Sequence, residues 1–456
     1  MEKNTIAAIA TSPGVGGIGI VRISGEEAFL VASKIFCPKD AFFNVIDPTS
    51  NVIKYGYIFD ENEKIDEVLV SFFKAPHSYT TENVVEINCH GGTLVMRRIL
   101  ETVIKNGARV AEPGEFTKRA FLNGRIDLTQ AEAIIDIITS KTDKERNLSL
   151  IQLEGFLSEK INKIQSKLYD VLIQIEAGID YPEHEIEDVT REEIFSALQE
   201  TKDSLKKLCD SFEEGKVIKE GVKTVILGKP NVGKSSLMNT LLREERAIVT
   251  DIPGTTRDTI EEFVNIRGIP LKIVDTAGIR NTEDKIEEIG VEKAKNEIEN
   301  ADMVIAVFDI SRELTEEDYE IIELIKDKKS IIIINKVDLE EKWNEKEIFK
   351  DKKVLNVSAK EKFGIEDLEN EIEKLWQINS MSTSEDIIIS NIRHKELLFN
   401  ALVEIDAATE ALKCHLPVDM ISINIKNILE CLGTIVGQNV NEETINGIFS
   451  RFCLGK

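Results

Sequence analysis

Residues 228–235 read Gly-Lys-Pro-Asn-Val-Gly-Lys-Ser. The string fits G-x-x-x-x-G-K-[ST], follows the apolar run 222–227, and opens an apolar-periodic stretch expected to be helical from Ser236. Glycines in such a loop let successive backbone N–H groups face a phosphate, with the positive end of a helix behind them. Lys234 would reach the β and γ phosphates of a nucleotide, and the Ser235 hydroxyl would sit on Mg²⁺. Asn231, Val232, Gly233 and Ser236 complete the candidate phosphate contacts.

Three further strings follow in order, each at the end of an apolar run. Asp275-Thr276-Ala277-Gly278 puts a carboxylate at a strand's C-terminal edge. Asp275 could hold magnesium through water, and the Gly278 N–H could sense a γ phosphate. Asn335-Lys336-Val337-Asp338 supplies an aspartate able to accept from both N1–H and the exocyclic amine of guanine, a donor pair adenine lacks. Ser358-Ala359-Lys360 supplies a backbone amide for the guanine O6. Between them lies Gly254-Thr255-Thr256-Arg257-Asp258, where Thr256 would complete the Mg²⁺ shell in a segment ordered by triphosphate. The chemistry is that of GTP binding and hydrolysis. A water-orienting glutamine is expected soon after Gly278 in Ras-like GTPases, yet the chain has Ile279-Arg280-Asn281. Hydrolysis therefore needs another device, for which Arg257, Arg280 or a carboxylate within 283–288 are the candidates.

These residues need a parallel sheet to hold them, and the chain has room for more. At 456 residues it is expected to form about three domains. Residues 1–118 alternate β-branched runs with turns (5–10, 19–23, 52–59, 68–73 and 84–89), with a helix after His90-Gly91-Gly92, which reads as α+β. From about Phe116 helical periodicity takes over, with Ile161, Ile164, Leu168, Leu172 and Ile175 on one face, and it stops near Gly215. It resumes with Leu398, Leu402, Ile405, Ala408 and Leu412. The expected scheme is an α+β N-terminal domain (1–118), the first half of an all-α helical domain (119–215), an inserted α/β Ras-like P-loop G domain (216–379), and the second helical half (380–456). The run 381–386 is the expected linker. Gly14-Val15-Gly16-Gly17-Ile18-Gly19 satisfies G-x-G-x-x-G but leads into a strand-like run, so no helix N-terminus is available for a pyrophosphate.

Composition narrows the class. There are 57 basic against 82 acidic residues, a net charge of −25, which leaves RNA binding only to a local patch. Six cysteines without CxxC pairs and five unclustered histidines argue against a disulfide framework or structural zinc. No run approaches the roughly 20 apolar residues of a membrane span, and the first residues lack a signal-peptide apolar region, so a cytoplasmic protein without membrane contact is expected. The terminal Cys453-Leu454-Gly455-Lys456 lacks the final residue and polybasic run of a prenylation signal.

The Asn231-containing loop, the 254–258 string, Pro113-Gly114-Glu115-Phe116-Thr117-Lys118-Arg119-Ala120-Phe121-Leu122-Asn123-Gly124-Arg125-Ile126-Asp127-Leu128, and the terminal tetrad together resemble the MnmE (TrmE) family of tRNA modification GTPases over essentially the whole chain. The resemblance implies a homodimer joined through N-terminal domains, whose G domains meet across bound GTP. It implies a potassium ion held by Asn231, Thr250, Ile252 and Thr255 in place of an arginine finger, and Glu287 as the catalytic carboxylate. The N-terminal domain would bind a 5-formyltetrahydrofolate-type donor through Arg22, Glu86, Arg125 and Lys456; the family usually has lysine where this chain has Arg125. With an FAD-containing MnmG-type protein in a heterotetramer, family members add an aminomethyl-type group at C5 of the wobble uridine of certain tRNAs, and Cys453 matches the cysteine associated with modification. The rival reading is a ribosome-assembly GTPase acting as an RNA-binding switch, but the acid-leaning helical tail does not resemble the basic module such proteins append.

Overall fold

The computed structural model describes residues 4–49, 51–180, 191–244, 262–275, 297–343, 346–349, 352–376 and 387–456. Two compact units are present. One comprises Met1–Ile135, Gln152–Ile194 and Ala407–Lys456, the other Asp136–Ile151 and Phe195–Asp406.

The first unit holds a seven-stranded sheet: β1 Ile6–Ile9, β2 Ile18–Ser24, β3 Phe36–Pro38, β4 Val52–Asp60, β5 Glu63–Phe73, β6 Val84–His90 and β7 Arg109–Val110, in the order β3-β4-β5-β6-β2-β1-β7. The antiparallel β2–β6 register sets Arg22 opposite Glu86. Alternation of side chains sends Val21, Ile23, Val85 and Ile87 into a core with Phe72, while Arg22 and Glu86 face the other way. Helix Thr93–Lys105 follows Gly92 and buries Met96, Ile99 and Val103 on one stripe of that core. Each such buried side chain contributes about 1.5–3 kcal/mol. Gly14–Gly19 indeed runs into β2.

Helix Glu115–Leu122 starts after Gly114, whose φ is +70° and whose Cβ would stand 2.5 Å from the Phe449 carbonyl oxygen. Its Ala120, with Ile126, Leu128 and Ala131, packs on Phe449 and Phe452, and this apolar contact seats the C-terminal segment against the N-terminal domain. The long helix Phe156–Asp180 buries Ile161, Ile164, Leu168, Leu172 and Ile175, the stripe read from the sequence. It lies on helix Val418–Val436, and Gln165 Nε2 donates to the Leu429 carbonyl (3.3 Å) and to Gln438 Oε1 (3.2 Å).

The second unit is built on a six-stranded sheet, β13-β12-β11-β8-β10-β9: β8 Val222–Leu227, β9 Glu262–Ile266, β10 Ile269–Asp275, β11 Met303–Asp309, β12 Ser330–Asn335 and β13 Lys353–Val357. All neighbours are parallel except β9, which pairs antiparallel with β10. β11 and β12 are buried along their whole length, as strands covered on both faces must be. Leu148, from helix Asp143–Leu153, joins this sheet's core.

The helical pattern does not stop near Gly215. A helix runs Phe212–Glu220 and ends at Gly221, which takes φ +80°. Gly215 is instead a packing glycine, because a Cβ there would run into the backbone carbonyl of Ile389. The expected linker 381–386 lies outside the described residues.

Candidate functional site

β8 delivers the chain to Gly228, where φ is +152° and a Cβ would meet the Val307 carbonyl oxygen at 2.5 Å and the Val232 side chain at 2.9 Å. Val232 is buried, and Gly233 turns the chain with φ +102°. A Cβ at Gly233 would collide with the Asn335 side-chain amide. The following helix begins directly after Gly233, at Lys234, two residues before the Ser236 expected. Its first amides have no partners within the helix and form the natural seat of a phosphate. Lys234 Nζ donates to the carbonyls of Gly228 (2.7 Å) and Lys229 (2.8 Å), so its ammonium stands over the loop. Ser235 and Ser236 are exposed beside it. Loop, glycines and ammonium therefore fit a polyphosphate, and Ser235 offers the hydroxyl a magnesium ion would need.

The strings at the ends of β12 and β13 close on this loop. Asn335 Nδ2 donates to the Val232 carbonyl (2.8 Å), and its Oδ1 accepts from Ala359 N–H (3.1 Å). Lys336 Nζ donates to the Asn231 carbonyl (2.8 Å) and to Asp309 Oδ2 (2.6 Å). Burial would raise the Asp309 carboxyl, but bonds from Lys336 and Ser311 outweigh it and hold the group below its usual value. Ser358 Oγ donates to Asp338 Oδ1 (2.6 Å), and this bond first, with the charges of Lys360 and Lys336, lowers the Asp338 carboxyl. An ionised Asp338 is acceptor-only, which suits a base presenting two donors. Thr240 Oγ1 ties the helix back to the Ala359 carbonyl (3.1 Å), and Lys360 is exposed. The backbone of Asp275 pairs with Ile226, two residues before Gly228. Thr250, Ile252, Thr255, Thr256, Gly278 and Glu287 lie outside the described residues.

A second polar cluster forms in the first unit. Arg22 Nε meets Glu86 Oε1 (2.8 Å), and Arg22 Nη1 donates to the Gly455 carbonyl (3.2 Å). The guanidinium carbons of Arg22 and Arg125 lie 5.2 and 4.6 Å from the Tyr79 ring centre, and Arg22 is 5.6 Å from that of Phe116. Phe116 N–H donates to the Lys456 carbonyl (3.2 Å), and burial first, then the charge of Arg22, lowers the Lys456 ammonium's pKa. Arg22, Glu86, Arg125 and Lys456 thus converge from β2, β6, the 113–128 string and the chain end. Two guanidiniums against an aromatic ring, with an ammonium that feels the Arg22 charge, fit a flat heterocycle carrying carboxylates. Tyr79 had no signal in the sequence. Its hydroxyl is bonded to Thr117 Oγ1 (2.9 Å), and its loop is held by Glu82, which Arg119 grips with Nη1 at 3.0 Å. Cys453 is exposed, and all six cysteines are free thiols. Among the described residues no His, Cys, Asp and Glu side chains group to hold a metal.

The description "MnmE helical domain" matches residues 128–453, and "GTP-binding protein TrmE N-terminus" matches residues 5–125. The tRNA modification GTPase MnmE of Clostridioides difficile is 50% identical over 456 residues, covering 99% of each chain. Those of Alkaliphilus oremlandii and Acetivibrio thermocellus are each 51% identical, over 99% and 100% of both chains. The chain belongs to the MnmE family of tRNA modification GTPases.

As in the MnmE helical-domain description, which brackets the six-stranded sheet, the P-loop G domain is inserted within helical sequence. The MnmE-family chain is accordingly a multidomain GTPase with an α+β N-terminal domain, an all-α helical domain and an α/β G domain. Solved structures similar to part of it include the T. maritima FeoB G domain (25% identity, 34% of this chain and 97% of that one, TM-score 0.26). Another is Era with MgGDPNP and a 16S ribosomal RNA fragment (27% identity, 40% and 66%, TM-score 0.27). Among the described residues no helix is long and apolar enough to cross a membrane.

Proposed function

We propose that this chain is a potassium-activated GTPase that acts with an FAD-containing MnmG-type protein on tRNA. It would use a 5-formyltetrahydrofolate-type donor to add an aminomethyl-type group at C5 of the wobble uridine. The working assembly is a cytoplasmic homodimer joined through residues 1–118, within a heterotetramer, with helical halves 119–215 and 380–456 flanking the G domain 216–379. What supports this is that one chain carries both a loop braced by Asn335 and Lys336 and a basic pocket of Arg22, Arg125 and Lys456. A GTPase that only switched would have no use for the second.

In the G domain, Asn231, Val232, Gly233, Lys234, Ser235 and Ser236 bind the phosphates, with Thr250, Thr255, Thr256, Asp275 and Gly278 on the switch side. Asn335, Lys336, Asp338, Ser358, Ala359 and Lys360 bind guanine. Ser235 and Thr256 hold Mg²⁺, and Asn231, Thr250, Ile252 and Thr255 hold K⁺. When bound, these cations neutralise charge developing on the phosphates. Glu287 orients the attacking water. In the N-terminal domain Arg22, Glu86, Arg125 and Lys456 orient the folate, and the exposed Cys453 thiol beside them takes part in modification.

GTP turnover should be much faster in potassium than in sodium, and tRNA from cells lacking the protein should lose the modified wobble uridine by nucleoside mass analysis. Restoration should need both Lys234 and Arg22. Unchanged uridines would favour a ribosome-assembly switch, and equal turnover in both salts would remove the potassium site.

A further inference from the structure

Asn231 takes φ +64°, in the left-handed region that asparagine enters more readily than most residues with a side chain. Pro230 and Asn231 form an exposed corner of the loop. One ammonium group holds that corner directly, and a second anchors the residue just before it. Lys336 Nζ binds the Asn231 carbonyl at 2.8 Å and is itself held by Asp309 at 2.6 Å. Lys229 Nζ donates to Thr315 Oγ1 at 2.9 Å and forms an ion pair with Asp318.

Asp318 is no surface carboxylate. It is 3% exposed and sits in the first turn of helix Glu316–Leu324, where its Oδ2 also accepts from Thr315 N–H at 2.8 Å in a capping box. A carboxylate so buried is costly without a cation, so Lys229 is committed to it. The carbonyl of Lys229 is in turn bonded by Lys234 Nζ at 2.8 Å. Residue 229 is thereby anchored through both backbone and side chain, two residues before Asn231.

We propose that the Lys229–Asp318 pair is a positioning element that fixes the Asn231 carboxamide for a monovalent cation and so sets the cation affinity without touching the nucleotide. The inference rests on the potassium reading above. An amide oxygen ligates well only when held within a few tenths of an ångström, and a loosened ligand set binds more weakly and discriminates less between ions of different radius. Asp309–Lys336 performs the same task on the other flank, but Lys336 belongs to the guanine string. Lys229 is therefore the residue whose loss isolates the cation effect.

The test uses the full-length protein, with GTP turnover followed across a potassium chloride titration and in sodium chloride, and GDP affinity measured alongside. Lys229→Met and Asp318→Asn should each raise the potassium concentration for half-maximal stimulation about tenfold and narrow the potassium-over-sodium ratio. Turnover at saturating potassium and GDP affinity should stay within about twofold, and Lys229→Arg should restore the wild-type curve. Superimposable potassium curves for wild type and Lys229→Met would overturn the positioning role while leaving wild-type stimulation, and the potassium reading, intact. Loss of GDP affinity in parallel with cation affinity would also overturn it, as general loop damage. A wild type that ignores potassium would overturn both readings.

Discussion

Asn335 joins the loop that follows β8 to the loop that follows β13, donating to the Val232 carbonyl at 2.8 Å while accepting from Ala359 N–H at 3.1 Å. One amide side chain, buried to 2% exposure, thus fixes the spacing between the phosphate end and the base end of the proposed nucleotide site.

Asn335→Ala should leave the Val232 carbonyl and the Ala359 N–H unpaired, at about 1–3 kcal/mol for each buried group. GDP affinity should fall at least tenfold, on the order of 1.4 kcal/mol. A fluorescent-GDP titration measures it, and a change below twofold would show that the brace is dispensable.

Asp338 is ionised and presented by Ser358. Wild type should prefer GDP over IDP, which lacks the 2-amino donor, by about 1.5–3 kcal/mol for one charge-assisted bond. Asp338→Ala should bind both weakly and nearly equally. Competition titration with the two nucleotides decides it; retained discrimination would assign the base contact elsewhere.

Glu287→Ala should lower turnover at least about 100-fold, within the range of a lost acid–base or water-orienting group, with GDP affinity nearly unchanged. Unaltered single-turnover rates would shift the role to another carboxylate in 283–288.

Glu145 is a pH-sensitive group of the second unit. Burial pushes its carboxyl up to about 7, against the Lys141 N–H bonded to Oε2 at 2.7 Å, while Asp136 raises it further and Lys219 opposes. A carboxyl whose folded value lies above the ordinary 4.5 stabilises the fold fully below that pH and loses the contribution as pH rises through about 7. Glu145→Gln should remove this decline, so the melting-temperature difference between variant and wild type should grow in the variant's favour from pH 4.5 to 7.5. Parallel melting curves across that range would contradict the assignment.

Gly215→Ala should destabilise the second unit although alanine is the better helix former by about 1 kcal/mol. The new methyl presses on the Ile389 backbone carbonyl, which cannot yield as a side-chain end would, and overpacking of this kind costs about 1–3 kcal/mol. Calorimetry should show a lower melting temperature; a rise would mean that the segment at Ile389 gives way.

Local chemistry makes much of this chain legible in its sequence. The P-loop octet, the strand-end strings and the apolar stripe from Ile161 to Ile175 are read from neighbours in sequence, because phosphate cradles and helix faces depend on short spacings. Even there the glycines misled: Gly215 looked like a helix stop and is a packing position, while Gly221 is the stop.

What sequence alone could not supply were the long-range meetings. Tyr79 under two guanidiniums, the seat of Gly455 and Lys456 beside Arg22, the fully buried β11, and the Lys229–Asp318 clamp pair residues tens to hundreds of positions apart. Sequence determined which groups can bind a phosphate, a guanine or an anion. Tertiary structure decided which of them share a site, because strand order and helix packing bring distant residues together and no local spacing encodes that order.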